Sequence, residues 1–285
     1  MKESNHRKME ERRIMMRKRI VTLITALAML CSAVSPVMEL KAQTKAQETG
    51  TTYYVSTLHG KDTNSGTSQN EPFYSLQKIN HQNLGPGDRI LLEAGSVFTN
   101  GYLHLFGQSG SEEAPIVIDR YGEGADPIID TNGQGVWFQN YGQRLDNAWH
   151  KYQGYVSSSI LLYDTEYIEI QNLEIVNDNP EIDTVYNATD MMDRTGVAAV
   201  AQDKGTIDHI HLKNLKIHDV IGNVYNKHMN NGGIYFTVYL PHDAQMGTPS
   251  DNKADFISSE TGISRYNDVL IEGCSVINTN RWGIA

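Results

Sequence analysis

The sequence predicts an all-β domain in which short parallel strands stack in rounds of three, and three observations carry that expectation. The first is a repeated phrase, "YIEIQNLEI" from 167, "HIHLKNLKI" from 209 and "DVLIEGCSV" from 268. In register, Ile170, Leu212 and Ile271 stand 42 and 59 residues apart, the spacing of a quasi-one-dimensional stacked architecture. The second is a phase slip inside each copy. Apolar residues alternate on both sides of Asn172, Asn214 and Gly273 but change phase at that position. A single strand cannot do this without turning its apolar face to water, whereas two short strands joined at a left-handed corner can. The third is a further apolar segment before each copy, registered on Ile160, Val197, Ile234 and Ile284 at spacings of 37, 37 and 50.

The elements follow in chain order. "RRIMMRKR" and the apolar run "IVTLITALAMLCSAVSPVM" read as the basic and hydrophobic parts of an export signal, with Ala42 at the cleavage point. Translation starting at Met15 or Met16 would give the leader a more usual length. The run is marginal as a membrane span, and its Ser and Pro residues favour cleavage. Leu30 before Cys31 is the wrong neighbour for lipidation. Residues 1–42 are therefore expected to be removed, 43–51 to be a flexible mature N-terminus, and 52–285 to form one domain.

Nine of the 24 basic and four of the 34 acidic residues lie in 1–42, which leaves 15 against 30, a net charge of −15. That field repels nucleic acid and anionic membrane, and it requires a local basic patch or a bridging cation for an anionic glycan. One cysteine, Cys274, remains beyond the leader. It is in register with Leu173 and Leu215, so it reads as a core thiol and excludes an intrachain disulfide.

From 52 the chain reads "TYYVSTLHGKDTNSGTSQNEPFYSLQKINHQNLGPGDRILLEAG" and then "APIVIDRYGEGADPIID". Asn70 and Pro72 are placed to begin a short helix with Phe73, Leu76 and Ile79 on one face, "GPGD" to stop it, and "RILLEAG" to start the first strand. With these blocks and the repeats together, the chain resembles the right-handed parallel β-helix proteins of the pectate-lyase superfamily, and among them exported polysaccharide-degrading proteins of gut Bacteroidetes. The resemblance implies a right-handed parallel β-helix with three strands per turn and a short N-terminal capping helix. "RWGIA" opens another turn without a polar cap, so truncation at the C-terminal end, with further turns after 285, is expected.

The resemblance also implies an exported carbohydrate-active enzyme, monomeric when full length, acting on a polysaccharide or oligosaccharide. Its glycan groove would run along the outer face of the first strand of each turn, at Tyr163, Ala198, Val200, Tyr235, Thr237 and Tyr239. Tyr235 and Tyr239 would stack on sugar rings. Chemistry is expected from "HDVIGNVYNKHMNNGG", which gathers His218, Asp219, Lys227 and His228, with Arg281 before the next strand. A pectate-lyase-like elimination needs a basic residue, Lys227 for preference, to take the proton α to a uronate carboxylate, with calcium as a candidate cofactor. Hydrolysis instead needs two carboxylates across the bond, from Asp219, Asp203 and Glu260. A non-catalytic glycan-binding module is the remaining alternative. No complete calcium loop is present: "DTNSG" offers Asp62 and Asn64, and "DMMD" offers Asp190 and Asp193.

Overall fold

The computed structural model describes residues 50–140, 153–179, 192–202, 204–222, 231–238 and 264–285. The expected export signal lies outside the described residues. No helix among the described residues is long and apolar enough to cross a membrane.

One helix and seventeen strands are described: β1 (Thr52–Val55), α1 (Gln77–Asn80), β2 (Arg89–Glu93), β3 (Val97–Thr99), β4 (Leu103–Phe106), β5 (Ile116–Tyr121), β6 (Ile128–Asp130), β7 (Val136–Asn140), β8 (Gln153–Tyr163), β9 (Ile168–Gln171), β10 (Glu174–Asn177), β11 (Asp193–Ala201), β12 (Thr206–Lys213), β13 (Lys216–Val220), β14 (Gly232–Val238), β15 (Arg265–Glu272), β16 (Ser275–Thr279) and β17 (Trp282–Ile284). They form three parallel sheets. The first is ordered β1-β2-β5-β9-β12-β15, the second β3-β6-β10-β13-β16, and the third β4-β8-β11-β14-β17, with β7 antiparallel to β8. From β2 onward, β7 aside, the chain visits the sheets in fixed rotation. Strand pairing establishes the coarser part of the expected fold, an all-β chain of three parallel sheets.

The register is the one the repeats predict. Leu212 pairs with Ile170 on one side and Ile271 on the other. Ile160, Val197, Ile234 and Ile284 form a continuous row in the third sheet. All three sheets contribute apolar residues to one core, which holds Ile170, Leu212, Leu173, Leu215, Ile160, Val197 and Ile234, with Cys274 packed against it. Asn172, Asn214 and Gly273 have φ of 57°, 54° and 64°. The Asn214 side chain donates to Asn172 Oδ1 at 3.2 Å, so the corner also carries a small polar ladder.

Further left-handed residues were not expected. Tyr167, His209 and Asp268 have φ of 51°, 54° and 53°, and Asp219 and Asn278 have φ of 50° and 53°. Tyr167 immediately precedes β9, while the other four lie inside β12, β15, β13 and β16 and are left out of the pairing register, so they interrupt strands rather than turn the chain from one sheet to the next.

The N-terminal block differs in detail. The helix is only the four residues of α1, preceded by Leu76 without a side-chain cap, so Asn70 and Pro72 do not start it. Phe73, Leu76 and Ile79 enter the core as expected, and Phe73 also forms an isolated bridge with Val55. Asp62, considered for calcium, accepts backbone N–H groups of Tyr74 and Ser75 at 3.0 and 2.8 Å and the Ser75 hydroxyl at 2.8 Å. Its carboxylate is committed to shaping the turn. The first strand is β1, which pairs with β2, not the segment at 89.

Candidate active site

Parallel register places His104, Leu161, Ala198 and Tyr235 in one row on the outer face of the third sheet, and Phe106, Tyr163, Val200 and Thr237 in the next. This face is not the open floor expected for a glycan groove. Leu161, Ala198 and Val200 are buried with Trp137 and Val156. Trp137 arrives on β7, a strand the repeats do not predict, and donates its indole N–H to Ser158 Oγ at 2.8 Å. What remains open is an aromatic edge: Phe106 is 54 % exposed and packs on Tyr163 with ring centroids 5.6 Å apart, and Trp137 meets Tyr163 edge-on at 6.2 Å. His104 lies beneath. Burial pushes its imidazole down to about 4, so it is neutral at physiological pH and donates Nε2–H to the Ser158 carbonyl at 2.9 Å.

Of the residues singled out from sequence, Arg281 and Asp193 influence Tyr235 through their charges. Burial pushes the Tyr235 phenol up, the Arg281 guanidinium pulls it back, and the Asp193 charge adds to the rise. Tyr235 therefore remains a protonated donor. Arg281 lies over the Trp282 ring at 5.9 Å. Asp193 begins β11 and is 3 % exposed, so it is a strand residue and not part of a metal-binding loop. Lys227, His228, Tyr239, Asp190, Asp203 and Glu260 lie outside the described residues.

Asp219 sits elsewhere, on β13 in the second sheet. Its carboxylate accepts from His218 Nδ1 at 2.7 Å and from the Asn278 side chain, and His218 Nε2 reaches Glu174 at 3.1 Å. The bond from Asp219 holds the His218 imidazole above its ordinary value despite the opposing effect of burial. Because the folded value is raised, this contribution is complete below the unfolded value of about 6.5 and is lost as pH rises through the folded one. Solvent screens the half-exposed pair, so His218→Gln is expected to flatten the fall in Tm above pH 6.5 by the equivalent of less than about 1 kcal/mol. Identical Tm-against-pH curves for the two proteins would show that the pair contributes nothing.

The carboxylate pair that sequence reasoning missed is at the end of the second sheet. Asp130 closes β6 and pairs with Val176, two residues before Asp178. Burial raises the Asp130 carboxyl above its ordinary range, and the Asp178 charge raises it further. Arg194, 1 % exposed, lies beside them, with Nη1 donating to the Ile221 carbonyl at 2.8 Å and standing 3.8 Å from Asp178 Oδ1. Asn177 locks the backbone there, donating to the carbonyls of Ser157 and Thr195 at 3.2 and 3.1 Å and accepting from Gly133 N–H at 3.0 Å. A carboxyl raised above its ordinary range by burial and by the charge of a second one is the kind of electrostatic setting that glycosidic cleavage uses. The only sequence signal was that each Asp stands just after the apolar pair of the second strand of its round, Asp130 directly after Ile128-Ile129 and Asp178 one residue further from Ile175-Val176.

No protein-family model matches the chain. The lacto-N-biosidase of Bifidobacterium longum subsp. longum is 42% identical over 259 residues, covering 83% of this chain and 16% of that protein. The crystal structure of the GH136 lacto-N-biosidase from Eubacterium ramulus matches with a TM-score of 0.71 and 49% identity, over 82% of this chain and 35% of that one. Its selenomethionine derivative gives 0.71 and 48%, over 84% and 36%. The chain thus spans a minor part of the length of each relative. These likenesses overturn the resemblance to the pectate-lyase superfamily: the proteins this chain is similar to, in sequence and in structure, are lacto-N-biosidases.

Proposed function

We propose that the protein is a glycoside hydrolase of the lacto-N-biosidase kind, acting on an oligosaccharide that carries lacto-N-biose. The observation that carries this reading is the 49% identity and TM-score of 0.71 to a solved lacto-N-biosidase. It replaces elimination at a uronate, for which Lys227 was the preferred base and calcium a candidate cofactor. In this reading the Phe106–Tyr163 edge takes the apolar face of a pyranose, and Tyr235 and Arg281 supply hydrogen bonds to its hydroxyls. Asp130 donates a proton to the departing glycosidic oxygen, Asp178 provides the second carboxyl, and water completes the cleavage.

The test is incubation of the full-length protein with an oligosaccharide ending in lacto-N-biose, with the released disaccharide measured by chromatography. Asp130→Asn is expected to lower kcat by about 100-fold or more with little change in KM. Intact substrate after prolonged incubation with protein shown to be folded would overturn the hydrolase reading. An unchanged kcat in the variant would overturn the role given to Asp130.

A further inference from the structure

On the outer face of the first sheet, away from the aromatic edge and the Asp130 pair, three adjacent strands bring together Glu169 from β9, His209 and His211 from β12, and Asp268 from β15. Glu169 and His211 are register partners, so their side chains leave the sheet one above the other. His209 lies two residues before His211 and has φ of 54°, which turns the chain there. The two imidazoles overlap with centroids 3.7 Å apart. One ligand atom from each of Glu169, His209 and His211 lies within 4.8 Å of the other two.

The hydrogen-bond pattern separates two roles. Glu169 Oε1 is 3.2 Å from His209 Nε2 and 4.0 Å from His211 Nδ1, so one carboxylate oxygen and one nitrogen of each ring converge. The opposite nitrogens both face Asp268: His209 Nδ1 at 2.7 Å from Oδ2 and His211 Nε2 at 3.1 Å from Oδ1. Lys213 Nζ holds the remaining Glu169 oxygen at 2.9 Å, so Oε1 is the oxygen that faces the two rings. Ring nitrogens fixed from behind by a carboxylate, with their partners aimed at a common point, are the arrangement metal-binding histidines use.

We infer that Glu169, His209 and His211 form a binding site for a divalent transition metal of the zinc class, with Asp268 orienting both imidazoles. Two nitrogens and one carboxylate oxygen suit zinc, at bonds of about 2.0–2.2 Å. Such bonds put ligand atoms about 3.3 Å apart, so the Glu169–His209 pair already has the spacing, and His211 Nδ1, 4.0 Å from Glu169 Oε1, must close on that oxygen by about 0.7 Å. Three protein ligands leave an outward position for water. The inference does not depend on the hydrolase reading, because none of these residues is assigned to it.

The experiment is calorimetric titration of chelator-treated full-length protein with zinc chloride at pH 7.5, alongside Tm with and without the metal. One saturable site per chain and a rise in Tm are expected. His211→Ala should abolish that site, and Asp268→Asn should weaken it by about 10- to 100-fold. His209→Asn should also abolish it, while keeping a residue that tolerates the left-handed backbone. His59→Ala, at a histidine whose side chain is 70% exposed, should leave binding unchanged. Absence of saturable binding in the folded wild type, or undiminished affinity in both His211→Ala and His209→Asn, would overturn the inference.

Discussion

Replacing Arg194 with methionine is expected to lower the free energy of unfolding by about 3 kcal/mol, a large share of the stability of an ordinary domain. Methionine fills similar volume, so the loss comes from polarity and not from a cavity. The guanidinium is 1 % exposed and donates to the Ile221 carbonyl at 2.8 Å, and removing it leaves that acceptor without its partner. An unsatisfied buried polar group costs about 1–3 kcal/mol. The Asp178 carboxylate, 3.8 Å away and one third exposed, adds a smaller amount because water screens it. Arg194→Lys should recover only part of the loss, since an ammonium cannot reproduce a planar fork spanning two acceptors. Guanidinium unfolding at constant m-value provides the measurement. A loss below about 1 kcal/mol would mean that the Asn177 bonds hold this corner unaided.

The same residue links stability to chemistry. Arg194 stands between the core and Asp178, and Asp178 is one of the two influences that raise the Asp130 carboxyl. Two residues along β11 from Arg194, Gly196 has no room for a side chain: a Cβ there would lie 2.7 Å from both the Gly233 carbonyl oxygen and Ile217 Cγ2.

How much of this the sequence discloses depends on whether a feature leaves a periodic mark. The rows Ile170–Leu212–Ile271 and Ile160–Val197–Ile234–Ile284 were legible because burial on one face forces alternation, and stacking repeats it. The Asn172–Asn214–Gly273 corner was legible because its residue types are the ones that adopt positive φ cheaply. The left-handed positions at Tyr167, His209 and Asp268 were not, since they fall beside or inside strands and no shared residue type marks them. β7 was missed for a different reason: it belongs to no repeat and pairs antiparallel with β8. The site suffered most. Asp219 looked like loop chemistry but is a strand residue bonded to His218 and Asn278. Asp130 and Asp178 are brought together only by pairing across 48 residues, which no local spacing reveals. Reaction class was not legible either, because a scaffold of stacked strands does not determine what is done on it.

Leu212→Ala is expected to cost about 2–5 kcal/mol, comparable with or larger than the loss at Arg194 and of opposite physical origin. Leu212 is fully buried between Ile170 and Ile271, with neighbours above and below in the same row. Truncation removes apolar surface from the core and leaves a cavity that flanking strands cannot close, because their spacing of about 4.8 Å is fixed by backbone hydrogen bonds. The cost should fall along the register. Ile271 is only partly buried against the core, so Ile271→Ala should be milder than Leu212→Ala. Ile277, on β16, is 64 % exposed, and Ile277→Ala should change stability by less than about 0.5 kcal/mol. Denaturant unfolding of the three variants tests this order. Equal losses at Leu212 and Ile277 would mean that the apolar row is not the interior of the fold, and the reading of the repeats would fail with it.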